Sequence, residues 1–336
     1  MATLNSLPYG TLDLDPKPYV VAGPPERIRC FVRGCKEMLR PPKRSGFDGE
    51  VCPDHGIRCH SSGTYSYIDV RRNIIVDADM VAERVMGHPF KYESNRLGYE
   101  KSEDALTWNV FRSLQRAGCL NVLAERITGK AIRTDPSLYL WGLNLTDDSL
   151  EPWDLLIAAR KRFESNLPVK RPLTEPDIAL YLPGEYLILI EAKFTSPNTF
   201  YLDGPRRDAN SLTKDELLDI YRDQALHILD DEKARGADRV YYQLWRNTVF
   251  AEWMALADGQ GTQAYHTSLT REGVENESCE HFRGLLKPEF SGRFAHLSWE
   301  GIYSGIVDSV GQSLLRRYFE TKTSGLVQAL KCLGRK

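Results

Sequence analysis

Asp177, Glu191 and Lys193 are the residues of this chain whose types and spacing could do chemistry together. They lie within the stretch EPDIALYLPGEYLILIEAKF, two carboxylates and a lysine around two apolar runs. Carboxylate oxygens are hard donors that suit Mg²⁺, a cation that keeps several waters. A bound divalent metal acidifies its water and stabilises charge that develops on a phosphoryl oxygen. A lysine two residues along the strand can hydrogen-bond an attacking water and offset phosphate charge. The chemistry these residues suit is the cutting of phosphodiesters. The structural alternative is an ordinary amphipathic hairpin with solvated charges.

The elements that must position them can be read from the pattern. Ile178 to Leu182 and Tyr186 to Ile190 are β-branched, aromatic and aliphatic, and Pro183-Gly184 divides them, which predicts a β-hairpin. If Pro183, Gly184 and Glu185 form the loop, Leu182 opposes Tyr186 and Asp177 falls opposite Glu191. Directly opposed residues share a face, with Cβ atoms about 4.5–5.5 Å apart. Two like charges held so repel, and the pairing asks for a cation. Glu191 and Lys193 then share that face, with Ile190, Ala192 and Phe194 on the other. A two-residue loop would instead shift the register by one and put the carboxylates on opposite faces. Glu191 and Lys193 also end a continuous apolar run, Tyr186 to Ile190, which reads as a buried central strand. Charges there need a reason.

Pro176-Asp177 followed by Glu191-Ala192-Lys193 resembles the motif of the PD-(D/E)XK, or restriction-endonuclease-like, nuclease superfamily. The resemblance implies that Asp177 and Glu191 bind Mg²⁺ or Mn²⁺ and that Lys193 assists the nucleophile. It implies an endonuclease acting on DNA, with restriction or defence against foreign DNA as the role. Many members add a glutamate on the first core helix. Here KSEDALTWNVFRSLQRAG fits that helix, with Ser102 as N-cap and Ala105, Leu106, Val110, Phe111 and Leu114 as an apolar stripe. Glu103 is the candidate and Asp104 its neighbouring alternative, although acidic residues at helix N-termini are common for dipole reasons alone. Some members place Gln and Tyr on a helix after the lysine strand. Tyr221 and Gln224 lie on the expected helix from Thr213 to Ala234, but in an order that departs from the exonuclease pattern.

The element order agrees with that superfamily core. A strand is expected over Asn121–Ile127, a helix over Glu151–Ser165, then the hairpin, the Thr213 helix, a strand over Asp238–Trp245 and a helix over Asn247–Leu256. That is an α/β pattern, a mixed central sheet flanked by helices. Residues 258–292 read as a long polar loop, Arg293–Trp299 as a strand, and Gly301–Leu333 as mostly helical. His266, His281 and Cys279 match no common metal spacing and read as structural or surface.

A second constellation lies near the N-terminus: Cys30-x4-Cys35, then Cys52-x2-His55, joined by a loop rich in Pro, Gly and basic residues. Two short-spaced ligand pairs suit a tetrahedral structural Zn²⁺, which supplies folding energy that so small a segment lacks. Cys59 and His60 are near enough to replace His55 or to serve a second site. The segment is also basic, with Arg27, Arg29, Arg33, Lys36, Arg40, Lys43 and Arg44, which suits either the phosphate backbone or a solvated surface. Arg71, Arg72, Arg160 and Arg162 are further candidates for phosphate contacts, or simply surface charge.

The chain has 336 residues, so one to three domains are expected. The expected division is an N-terminal arm and zinc module over residues 1–62 and a nuclease-like domain over 63–336, with its core at about 100–257. A net charge of −2 argues against a strongly basic, nonspecific nucleic-acid coat, and leaves room for local binding charge. No apolar run approaches a membrane span, and MATLNSLPYGTLDLDPKPYV lacks a basic-then-apolar signal pattern, so no membrane association is expected. An odd number of cysteines, seven, with a zinc-like cluster suits a reducing cytoplasm. Cutting both strands of a duplex needs two active sites, so a homodimer is an expectation from symmetry. The competing function is a nucleic-acid-binding or regulatory protein on a nuclease-like fold that does not cut.

Overall fold

The computed structural model describes residues 27–42, 49–60, 64–91, 96–146, 149–165, 173–202, 212–221, 228–307, 313–319 and 322. It divides into two compact units, residues 1–113 with 303–336, and residues 114–302. The N-terminal arm over 1–26, Lys43, Arg44 and Gln224 lie outside the described residues. Among those described, no helix is long and apolar enough to cross a membrane.

The first unit opens with two small antiparallel hairpins, β1 (Ile28–Arg29) with β2 (Met38–Leu39), and β3 (Ile57–Cys59) with β4 (Tyr65–Tyr67). Their buried side chains, including Leu39, Ile57, Tyr65 and Tyr67, form a core of their own together with the cysteines. A 3₁₀ turn over Val70–Asn73 leads to α1 (Ala78–Met80), prolonged by a π turn over Val81–Val85. Arg71 is held by Asp69, Asp79 and Glu83, so its charge is spent within this unit rather than offered as an open contact. The helix α2 (Glu103–Arg116) begins where expected: the Ser102 hydroxyl accepts from the Ala105 amide at 3.0 Å.

The second unit is built on one mixed sheet of seven strands, in the order β13-β12-β9-β8-β5-β6-β7. It begins with α3 (Leu120–Thr128), where a strand was expected. Leu120, Leu123, Ala124 and Ile127 recur at the helical interval and are buried, while Val122 points out, so the helical period outweighs local β-propensity. A meander of β5 (Ser137–Leu140), β6 (Leu143–Leu145) and β7 (Leu150–Pro152) leads to α4 (Asp154–Glu164). Arg160 on α4 is buried and donates to the Thr174 carbonyl, which makes it a structural residue.

The hairpin follows as β8 (Ile178–Leu182) and β9 (Tyr186–Ala192). All of β9 is buried, as its unbroken apolar run requires. Next come the short β10 (Phe200–Leu202), α5 (Lys214–Ile220) and α6 (Asp231–Gly236). The single helix expected over Thr213–Ala234 is interrupted: Tyr221 and residues 228–230 are not helical, and α6 starts after an Asp230 cap. The strand expected over Asp238–Trp245 is only β11 (Arg239–Tyr241), paired with β10, because α7 (Tyr242–Asp258) begins at once.

The region expected to be a loop is ordered as β12 (Gln263–Thr270), α8 (Asn276–Leu285) and α9 (Pro288–Ser291), before β13 (Phe294–Ser298) and α10 (Trp299–Ile302). β12 lies parallel to both β9 and β13 in the sheet. Its His, Ser and Thr residues lower its hydropathy, yet seven of its eight residues are buried. Leu187 and Leu189 of β9 pack with Leu244, Trp245, Val249 and Phe250 of α7, so this helix covers one face of the sheet. In the first unit, residues 303–307 form a π turn and 313–319 are helical.

Ile188, in mid-β9, is fully buried, and Leu256 on α7 is 75% exposed. Ile188→Ala is expected to cost about 2–5 kcal/mol in urea unfolding, while Leu256→Ala stays within about 0.5 kcal/mol.

Candidate active site and metal centre

The turn between β8 and β9 decides where the carboxylates go. Leu182 pairs with Tyr186 and Ile178 with Ile190, so Pro183, Gly184 and Glu185 form a three-residue loop. Gly184 takes φ +74°, the left-handed conformation such a loop needs, and its amide donates to Thr262 Oγ1 at 2.9 Å. Continuing the register by one residue sets Asp177 opposite Glu191. Period two puts Asp177 on the face of Ala179 and Tyr181, and Glu191 on that of Leu187 and Leu189, the side covered by α7.

Within the second unit, Asp177, Glu191 and Lys193 come together. Glu191 is 2% exposed, so its charge needs partners. Lys193 Nζ donates to Glu191 Oε1 at 2.7 Å, and Asp177 Oδ2 accepts from the Ala192 amide at 2.8 Å. The carboxyl group of Asp177 is therefore tied to the backbone of the motif itself. Lys193 is secured from two sides: its amide donates to the Leu269 carbonyl at 2.7 Å, and its carbonyl accepts from the Trp299 indole at 3.0 Å. Arg271 lies over the Phe194 ring, 5.4 Å from its centroid.

Two further residues touch the motif and were not anticipated. Gln243 Nε2 donates to Glu191 Oε1 at 2.6 Å, and Asn247 Nδ2 donates to Glu191 Oε2 at 2.7 Å. They lie one turn apart on α7, the spacing that aligns side chains on one helix face. A polar pair four residues apart within an apolar helix was the available signal. It was obscured because DRVYYQLW reads as a strand. Tyr221, at the C-terminal end of α5, is packed in the core against Phe163 and Trp245.

Glu103 opens α2 in the first unit. Its neighbour Asp104 is engaged with Lys91 at 3.1 Å. The donor set of Asp177 and Glu191 consists of carboxylate oxygens, the chemistry a hard divalent cation takes.

The N-terminal cluster is a separate centre. One ligand atom each from Cys30, Cys35, Cys52 and His55 lies within 4.8 Å of all the others. Cys35 Sγ is 3.9 Å from Cys52 Sγ, and His55 Nδ1 is 3.3 Å from Cys52 Sγ and 3.7 Å from Cys30 Sγ. Metal–ligand bonds of about 2.3 Å to sulfur and about 2.0–2.1 Å to nitrogen give tetrahedral edges of about 3.6–3.8 Å, so the cluster fits Zn²⁺. Backbone turns shape it: the Cys35 amide reaches the Val32 carbonyl, and the His55 and Gly56 amides both reach the Cys52 carbonyl. Burial, together with the neighbouring thiols of Cys52 and Cys35, pushes the Cys30 thiol up to about 12, a cost that a cation binding thiolates removes. Cys59 and His60 do not join. Cys59 Sγ faces the Arg40 and Glu50 carbonyls, and His60 pairs with Ser66 and stacks on Tyr99.

His266 is no ligand either. It is buried on β12, with Nδ1 2.7 Å from Thr248 Oγ1 and its ring against Phe282 and Phe294. Burial pulls its pKa down to about 3. His281 meets the Arg239 carbonyl and the Tyr241 ring, a structural position.

A family described as "Restriction Endonuclease associating with ARP" matches residues 102–322 of the chain, more than half of its length and exclusive of the Cys/His cluster. No curated protein and no solved structure matches it.

Metal analysis of the purified chain is expected to give about one zinc per molecule, lost in Cys52→Ser and retained in Cys59→Ser. His266 stays neutral in the folded state while the unfolded residue titrates near 6.5, so the unfolded chain takes up the proton first. Stability should therefore fall as pH drops below about 6.5 and keep falling towards about 3, by about 2 kcal/mol between pH 7 and 5. His266→Gln should flatten that slope in urea unfolding.

Proposed function

The chain belongs to the family of restriction endonucleases associating with ARP, and from that membership we propose that it is a divalent-metal-dependent endonuclease that hydrolyses phosphodiester bonds in DNA. The observation that carries the reading is the buried Glu191 carboxylate, set across the hairpin from Asp177 and hydrogen-bonded by Lys193. A charge enclosed in a sheet interior is costly unless it serves something. Mg²⁺ or Mn²⁺, when bound, supplies positive charge at the phosphoryl oxygens and acidifies water.

The side chains have distinct tasks. Asp177 and Glu191 would hold the cation, and the Ala192 amide and the α7 amides keep their carboxylates from turning away. Lys193 orients the attacking water through its ammonium group and offsets charge on the phosphate. Glu103 is proposed as a third carboxylate, on the strength of the superfamily resemblance. No covalent intermediate with the protein is required. The basic zinc module, with Arg27, Arg33 and Lys36 among its described residues, is proposed to hold the phosphate backbone. A homodimer would supply the second active site for a double-strand cut. Restriction or defence against foreign DNA, in a reducing cytoplasm, is the setting that suits this set of features.

Supercoiled plasmid should be nicked in the presence of Mg²⁺ and left intact with a chelator. Glu191→Ala and Lys193→Ala should each lower the rate by about 10²-fold or more while leaving DNA retention in mobility shifts unchanged. Glu103→Ala tests the third carboxylate in the same assay. If the wild-type chain binds DNA and never nicks it, the nuclease reading is wrong and a binding or regulatory protein on this fold takes its place.

A further inference from the structure

We propose that Asn247 is a positioning residue for Glu191, and that with Gln243 it decides which carboxylate oxygen is presented to a divalent cation. The inference rests on the metal-dependent reading above and goes on to the helix that serves the site.

A carboxylate has about four acceptor directions, two on each oxygen. On Glu191, Oε1 accepts from both Lys193 Nζ and Gln243 Nε2, at 2.7 and 2.6 Å. Among the described residues, Oε2 accepts from Asn247 Nδ2 alone, at 2.7 Å. Three directions are therefore committed, and the one that remains is on Oε2. The presenting oxygen is the one that Asn247 orients.

The chemistry of the clamp fits that task. An amide orients a carboxylate without cancelling its charge, whereas an arginine here would form an ion pair and compete with a cation. Asn247 is fully buried, and its own carbonyl oxygen has no hydrogen-bond partner among the described residues. An apolar side chain would fill the same space without burying an unsatisfied acceptor. The amide is thus a poor choice for packing alone and a good one for holding Glu191. The support beneath it is stiff: Leu244, Trp245, Val249 and Phe250, on the same helix, are all fully buried.

The test uses the full-length chain and Mn²⁺ as the probe, followed by electron paramagnetic resonance, with plasmid nicking measured in parallel. Asn247→Ala is expected to weaken Mn²⁺ binding by about 10–100-fold, the loss typical when a partner of a metal ligand is removed. Its nicking should need correspondingly more Mg²⁺ and approach the wild-type rate at saturation. Gln243→Ala, at a half-buried position that tolerates truncation, should weaken Mn²⁺ binding less, because Lys193 still holds Oε1. Thermal midpoints of both variants separate a folding defect from a metal defect. If folded Asn247→Ala binds Mn²⁺ as the wild type does, the positioning role is overturned. A wild-type chain that binds Mn²⁺ but nicks no DNA would instead defeat the nuclease reading, and the Mn²⁺ comparison would still judge Asn247. A wild-type chain that binds no Mn²⁺ would defeat both.

Discussion

The register of one hairpin governs the rest of the site. Because three residues separate Leu182 from Tyr186, period two carries Asp177 and Glu191 to the same face, fourteen positions apart in sequence and adjacent across the sheet. A loop shorter by one residue would keep every residue type and turn the carboxylates away from each other. Gly184 in the left-handed region and the hydrogen bond its backbone N–H donates to Thr262 Oγ1 are thus chemical determinants although neither touches the site. A local backbone choice at the far end of the hairpin selects the face on which charge accumulates.

Once that face is chosen, burial dictates what surrounds it. Glu191 is enclosed between β9 and α7, and an ionised carboxylate in such a place must be met by donors. The chain supplies one cation and two neutral amides, so the negative charge is oriented more than it is neutralised. Polar residues of β12 continue the pattern: Ser268 lies beside Glu191 in the parallel register, with His266 two residues before it.

The hairpin and its motif were legible because apolar runs, a Pro-Gly break and charged ends are all local signals. The zinc cluster was legible for the same reason, its ligands falling in two short pairs with turns of their own. What escaped was non-local. Asn121–Ile127 reads as strand on β-branched content, and only the burial of Leu120, Leu123, Ala124 and Ile127 along one stripe shows the helix. β12 was concealed by the polarity of His266, Ser268 and Thr270, which belongs to its position beside the site and not to solvent exposure. Gln243 and Asn247 were hidden by the same effect at a helix start, where aromatic residues shared with β11 mimic a continuing strand.

The indole of Trp299 reaches back to the carbonyl of Lys193, and β12, which also holds that lysine, and α7, which holds Glu191, likewise follow it in the chain. The motif is thus made early in synthesis and completed late. A nascent chain that has emerged only as far as β11 carries Asp177, Glu191 and Lys193 with neither amide, no parallel neighbour for β9 and no indole. Parallel pairing across so long a connection is among the slower steps of folding. On the ribosome, the topology itself keeps the site unassembled until residues near 299 are free to join it.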